Sequence, residues 1–303
     1  MKLSFLSTLI LLFVTVTPSA GEPAQLRVVT SIGPIHSLVS GIMAGAGEPK
    51  LLLRSGASPH SSSLRPSDLT AIEQADLIIW IGPQMEQFLA KAIHIARPEN
   101  ILTLMQAPGL TLHPVRDGGI WQANEHNDHQ EETTDPHIWL NPQNAIRMTE
   151  LIRDQIVRLD PHRAELYLQN SKRVIARLQS LDRQLQKQLK PVQTIPYIVF
   201  HDAYQTFEAH YKLSPSGAVT IDPERRPGAR RLHTIRDHLL QSRAVCLFSE
   251  PQFEPRYIAP LTEGTAIRTG ILDPLGSTLT PGPELYFELM QHLSESIVAC
   301  LSP

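Results

Sequence analysis

The chain has 303 residues, 42% of them apolar and 19% charged, with a formal net charge of −3. That length exceeds one ordinary core and suits two domains of roughly 100 to 150 residues each. A near-neutral balance excludes a nucleic-acid binder held by a general basic field, and the composition is that of a soluble globular protein.

At the N-terminus, Met1 and Lys2 precede the apolar run LSFLSTLILLFVTV and the small-residue stretch TPSAGEPA. Charge, apolar core and small residues in that order make a secretory signal, so residues 1–21 are expected to be removed and the mature chain to begin near Gly21 or Glu22. The run is shorter than the roughly 18 residues a membrane span needs, and no later segment approaches that length, so no stable span is expected. No cysteine lies in the cleavage region to carry a lipid anchor.

Between residues 22 and 140, short β-rich runs lead through Gly/Pro/Ser turns into helical patterns. LRVVTSIG precedes PIHSLVSGIMAG, PKLLLRSG precedes the loop ASPHSSSLRPSD, and DLIIWIGP precedes QMEQFLAKAIH. Apolar strands alternating with amphipathic helices argue for a mostly parallel sheet flanked by helices. The stretch 113–135, HPVRDGGIWQANEHNDHQEETTD, is polar and of low complexity. It reads equally as a solvated mobile loop or as a weak secondary metal-collecting loop through His113, His126 and His129.

Residues 141–190 form a long linking helix. Asn141 suits the N-cap and Pro142 the first helical position. Ile146, Leu151, Ile152, Ile156 and Leu159 recur at helical spacing, as do Leu166, Leu168, Ile175, Leu178, Leu181 and Leu185. Asp160-Pro161 between them predicts a kink with a second start. The spacing is not a sustained heptad, so packing across both lobes is preferred to a coiled coil.

The β-then-α pattern returns over 191–303 in YIVFHDAYQTFEAHY, AVCLFSEPQF and AIRTGILDPLG. Two α/β lobes follow. Cys246 and Cys300 lie in this second lobe, and an even count in an exported chain favours a disulfide over two buried thiols.

Open α/β sheets place ligands beyond the carboxyl ends of their strands. Four chemistry-bearing residues fall there: His60 after KLLLRSGASP, His137 in DPHIWLNP before the long helix, His201 ending YIVF, and Asp273 ending IRTGIL. Their separations of 77, 64 and 72 residues rule out a local finger motif, so any site must be assembled from both lobes. Three imidazoles and a carboxylate make a tetrahedral N/O set that suits zinc, whereas manganese would call for more oxygen donors. Pro136 restricts the backbone beside His137, and Ile138 and Trp139 read as core. Glu250, after AVCLFS, is placed to orient a ligand histidine. His36 and the helical His210, His233, His238 and His292 read as structural or surface residues, and Arg225, Arg226, Arg230 and Arg231 as a solvated basic face.

Taken together, VVTSIGPIHSLV, SPHSSSLRPSD, ADLIIWIGPQME, DPHIWLNP, FHDAYQTFEAHY, RRPGARRLHTIRDHL, CLFSEPQF and LDPLG resemble the zinc-specific periplasmic solute-binding proteins of ABC importers, the ZnuA type within a wider metal-binding cluster. The resemblance covers essentially the whole mature chain. It implies metal ligands at His60, His137 and His201, with Asp273 or a water as the fourth ligand, since Pro59 stands where some relatives carry a glutamate. It also implies a Cys246–Cys300 disulfide. The expected function is capture of Zn2+ in the periplasm by a monomer and delivery to an ABC importer permease and its ATPase. A manganese carrier of the same cluster is the alternative. An exported zinc hydrolase is weaker, because no His-Glu-x-x-His helix, Gly-x-Ser-x-Gly elbow or phosphate-cradling Gly loop is present.

Overall fold

A computed structural model describes residues 25–116, 134–220, 228–253 and 258–302. The expected signal segment 1–21, His126, His129, Arg225 and Arg226 lie outside the described residues.

The N-terminal lobe is built from β1 (Val28–Thr30), α1 (Gly33–Met43), β2 (Lys50–Leu51), α2 (Pro66–Gln74), β3 (Leu77–Trp80), α3 (Gln87–Ala90) and β4 (Ile101–Thr103). Its strands are all parallel in the order β2-β1-β3-β4. The runs VVT and LIIW are buried along their whole length, as expected of strands covered on both faces. The expected helix over QMEQFLAKAIH is shorter than its pattern suggests, being α3 followed by a 3-10 turn at Ile93–Ile95.

The linking segment breaks where Pro161 requires it. α4 (Pro142–Leu159) begins with the Asn141 side chain accepting from Gln143 N at 2.9 Å. α5 (Ala164–Leu189) follows a 3-10 turn at Pro161–Arg163. The Asp160 carboxylate joins the two, accepting from Arg163 Nη1 and Tyr167 OH, each at 2.8 Å.

The C-terminal lobe holds β5 (Tyr197–His201), α6 (Gln205–Tyr211), β6 (Pro215–Thr220), α7 (Ala229–Gln241), β7 (Cys246–Ser249), α8 (Ile258–Thr262), β8 (Arg268–Ile271) and α9 (Leu285–Leu301). Its sheet is again parallel, in the order β6-β5-β7-β8. In each lobe the strand order reverses between the first and third strands, so the crevice that open α/β sheets use for ligands opens beyond β1/β3 in one lobe and beyond β5/β7 in the other.

The lobes share one core. α5 packs on α1, α4, α6 and α9, and α9 crosses back from the second lobe onto α1. Gly41 permits the close approach of α1 to α5: a Cβ there would come 2.7 Å from Val174 Cγ2. Asn170 on α5 donates to the carbonyls of Ile42 and Ala44 at the end of α1, both at 2.9 Å. Trp139, fully buried, donates from Nε1 to Pro274 O at 2.8 Å, and its own carbonyl accepts from Tyr286 OH at 2.7 Å. A single buried apolar cluster runs from Leu26 to Leu301 through both lobes. Wide opening of the lobes would expose that surface to water, which opposes a large hinge motion.

Cys246 on β7 and Cys300 on α9 are disulfide-bonded, with Cα atoms 6.1 Å apart and a sequence separation of 54. Closing a loop of that length restricts the unfolded chain by about 4 kcal/mol in the chain-entropy description. Denaturant unfolding of a Cys246→Ala/Cys300→Ala variant should show a loss of about that size. A loss below about 1 kcal/mol would show that the cross-link does little in the unfolded chain.

Candidate metal centre

Three histidines from distant parts of the chain meet between the lobes. Among the described residues, His60, His137 and His201 form the group whose metal-ligating atoms converge, all within 4.8 Å of one another. Their ring centroids lie 5.0 Å (His137–His201), 5.5 Å (His60–His201) and 5.9 Å (His60–His137) apart. A tetrahedral ion with metal–nitrogen bonds of about 2.1 Å sets its donors about 3.4 Å apart, so an ion needs the rings to close by no more than about 1.4 Å.

Each imidazole is delivered by a different device. His60 sits on the irregular serine-rich loop, where its backbone N donates to Ser58 Oγ at 3.2 Å and Ser62 Oγ donates to Ser58 O at 2.5 Å. It is half-buried, while His137 and His201 are buried. His137 precedes the 3-10 turn Ile138–Leu140. Asp135 Oδ1 accepts from both its backbone N (3.1 Å) and its Nδ1 (2.7 Å). An ionised carboxylate can only accept, so the Nδ1 proton is fixed and the Nε2 lone pair is left for a cation. Thr206 Oγ1, from the other lobe, donates to the His137 carbonyl at 2.7 Å. His201 ends β5 beside the end of β7, at the point where strand order reverses.

Glu250 follows β7 and faces His201, with Oε1 3.6 Å from Nδ1, too long for a hydrogen bond. Both atoms, together with His60 Nε2, are buried without a hydrogen-bond partner, and buried polar atoms left over in this way point to a ligand. Trp139, Phe253, Pro274 and Leu275 supply apolar walls. The space at the centre measures about 10 Å³, close to one water. That is room for a single small ion between the rings.

Electrostatics divides the three rings. Burial pulls the His60 imidazole down to about 2, with His201 and His137 adding to the effect. His137 is held well below its ordinary value, first by burial and then by His201. Burial pulls on His201 as well, but the carboxylates of Glu250, Asp202 and Asp135 outweigh it and the net shift is upward. Burial raises Asp135 to about 6 and lifts Glu250 too.

Asp273, expected as the acidic neighbour or fourth ligand, is not among the three converging donors found among the described residues. Its oxygens already accept four hydrogen bonds, from Gln252 Nε2 (2.7 Å), Leu275 N (3.1 Å), Ser277 N (2.6 Å) and Ser277 Oγ (2.9 Å). It closes the DPLGS turn. Glu250 is the carboxylate beside His201. Asp135 had not been singled out in the sequence, although Asp-Pro-His itself is the signal: an acidic residue two before a turn histidine can reach both its backbone N and Nδ1. His113 is half-buried, and its carbonyl accepts from Asp135 N at 2.9 Å. His36 contacts Pro49 O at 3.1 Å, and His210 contacts Asp182 Oδ1 at 2.8 Å, both away from the cluster.

A family profile described as "Zinc-uptake complex component A periplasmic" matches residues 28–300. The chain is 40% identical over 305 aligned residues to the high-affinity zinc uptake system protein ZnuA of Brucella suis biovar 1, covering 91% of each chain. It is 39% identical over 292 residues to the protein of the same name from Yersinia pestis, covering 92% of each. A crystal structure of ZnuA superposes with a TM-score of 0.78 at 21% identity, over 92% of this chain and 100% of that one. It shares the fold.

In the metal-free protein, lowering the pH through the ordinary imidazole range near about 6.5 should protonate His201 first while His60 and His137 stay neutral. Imidazole NMR titration reads this directly. Three rings titrating together near about 6.5 would contradict the buried, carboxylate-backed arrangement.

Proposed function

We propose that this chain, which belongs to the ZnuA family of periplasmic zinc-uptake components, captures Zn2+ between its lobes through His60, His137 and His201. It presents the ion to the permease of an ABC importer, whose ATPase drives uptake. The chain is a solute-binding transport protein that works in the periplasm as a monomer, exported by the leader at 1–21. Among the described residues no helix is long and apolar enough to cross a membrane.

The observation that carries the ligand set is the convergence of three imidazole donors within 4.8 Å around a space for one ion. Nitrogen donors favour zinc over manganese, which draws on oxygen. With Asp273 committed to its turn, a water takes the fourth position. Asp135 sets the tautomer of His137, and Glu250 stands ready to do the same for His201 once the ion draws the ring into place. Because His60 and His137 are neutral before binding, the ion displaces few protons. Because the lobes share a core, entry and exit fall to the His60 loop and a small tilt.

Metal analysis by mass spectrometry with competitive zinc titration tests the ligand set. The native protein should bind one zinc, and His60→Ala, His137→Ala and His201→Ala should each weaken it by about 100-fold or more. Asp273→Asn should leave affinity unchanged. Full retention of zinc in the histidine variants, or loss in Asp273→Asn equal to theirs, would overturn the assignment.

The pH dependence follows from the same shifts. A proton competes with the ion only at a ring whose metal-free pKa lies above the working pH. His201, shifted upward, is that ring, whereas the downward shifts of His60 and His137 remove theirs. Zinc affinity should be constant above the His201 pKa and fall about tenfold per pH unit below it, the slope for one proton. A slope of three protons, or none, would contradict the reading.

A further inference from the structure

Arg116, two residues past the Pro114–Thr134 bridge, reaches from the N-terminal lobe into the other lobe. Its Nε donates to Asp202 Oδ2 at 3.1 Å, and its Nη2 to Asp202 Oδ1 at 2.5 Å and Glu208 Oε2 at 2.6 Å. The arginine side chain is 18% exposed and the two carboxylates 4% and 3%. A planar guanidinium forked onto carboxylates in such a setting fixes direction as well as charge. Asp202 is the residue after the ligand His201, and its backbone N donates to Thr220 O at 3.3 Å. The second oxygen of Glu208 accepts from Tyr197 OH at 2.9 Å, at the other end of the strand that His201 terminates. The clamp therefore ties the residue after His201 to the middle of α6, whose Glu208 reaches back to Tyr197 at the start of β5.

The chain returns beside Arg116. Pro114 pairs with Thr134, and Asp135 N donates to His113 O. Two residues of this narrow base thus stand behind two of the three rings: Asp135 holds His137 directly, and Arg116 holds the residue following His201.

We propose that Arg116 is a positioning residue for the zinc site, setting His201 against His137 from across the lobe boundary through Asp202 and Glu208. This rests on the three-imidazole reading above. Without the guanidinium, two buried carboxylates would face each other uncompensated, and relief of that repulsion would move the end of β5. The sign of the effect separates positioning from plain electrostatics. A cation beside a cation site repels the ion, so Coulomb's law alone predicts tighter zinc binding when Arg116 is removed. Positioning predicts weaker binding.

The test uses the full chain, with zinc affinity measured by competition in Arg116→Met, Arg116→Lys and His201→Ala, and with Arg116→Met combined with His201→Ala. Arg116→Met should weaken zinc by about 10- to 100-fold, the range for residues that orient ligands. It should also alter the visible spectrum of the Co2+-loaded protein. Lysine, which keeps the charge without the fork, should recover part of the loss. In the His201→Ala background, Arg116→Met should cost nothing further, because the ring it positions is gone. Unchanged or tighter binding in Arg116→Met, or an equal loss in both backgrounds, overturns the proposal while leaving the three-imidazole site intact. If Arg116→Met does not fold, Arg116→Lys carries the test: weaker zinc binding with an altered Co2+ spectrum supports positioning, and native affinity overturns it. Undiminished binding in His201→Ala would instead remove the ligand set, and the proposal with it.

Discussion

The structure depends on holding three imidazoles close together, with His60 and His137 kept neutral by burial. Three rings with centroids 5.0 to 5.9 Å apart would repel one another if charged, and water would separate them if the site were open. Burial against Trp139, Phe253, Pro274 and Leu275 answers the first problem for His60 and His137, since a low-dielectric surrounding disfavours the imidazolium, and it limits access of water to the rings. The carboxylates behind the rings set the balance. Asp135 fixes the tautomer of His137, while Glu250 and its neighbours leave His201 as the ring that still responds to protons.

Such an arrangement needs a stiff frame, because the rings come from a loop, a turn and a strand end in two lobes. The frame is supplied by α5 and α9, which tie the lobes into one apolar core. The Trp139 bonds to Pro274 and Tyr286 pin this wall of the site to the C-terminal lobe. The His60 loop is irregular, with serine bonds inside the loop that join Ser58 to His60 and Ser62.

Much of this was legible in the sequence because local chemistry and tertiary placement agree. Asn141-Pro142 announces a helix start and Asp160-Pro161 a break, and both occur there. Fully apolar runs such as LIIW and YIVF identify covered parallel strands, and strand ends and turns located His60, His137 and His201. Asp273 also follows a strand, and in DPLGS its carboxylate is taken up by a serine four residues on and by two backbone N–H groups, a local engagement that strand-end logic does not weigh. The return of α9 onto α1 has no local signature, because an amphipathic helix does not state which lobe it will cover. Arg116 is equally silent, since its partners lie 86 and 92 residues away.

The most direct test of the central claim is X-ray absorption spectroscopy of the zinc-loaded protein. Three imidazole nitrogens at about 2.0 to 2.1 Å, with one further light atom completing four-coordination, is the result this account predicts. A first shell dominated by carboxylate oxygens, or holding fewer than three imidazoles, would contradict it.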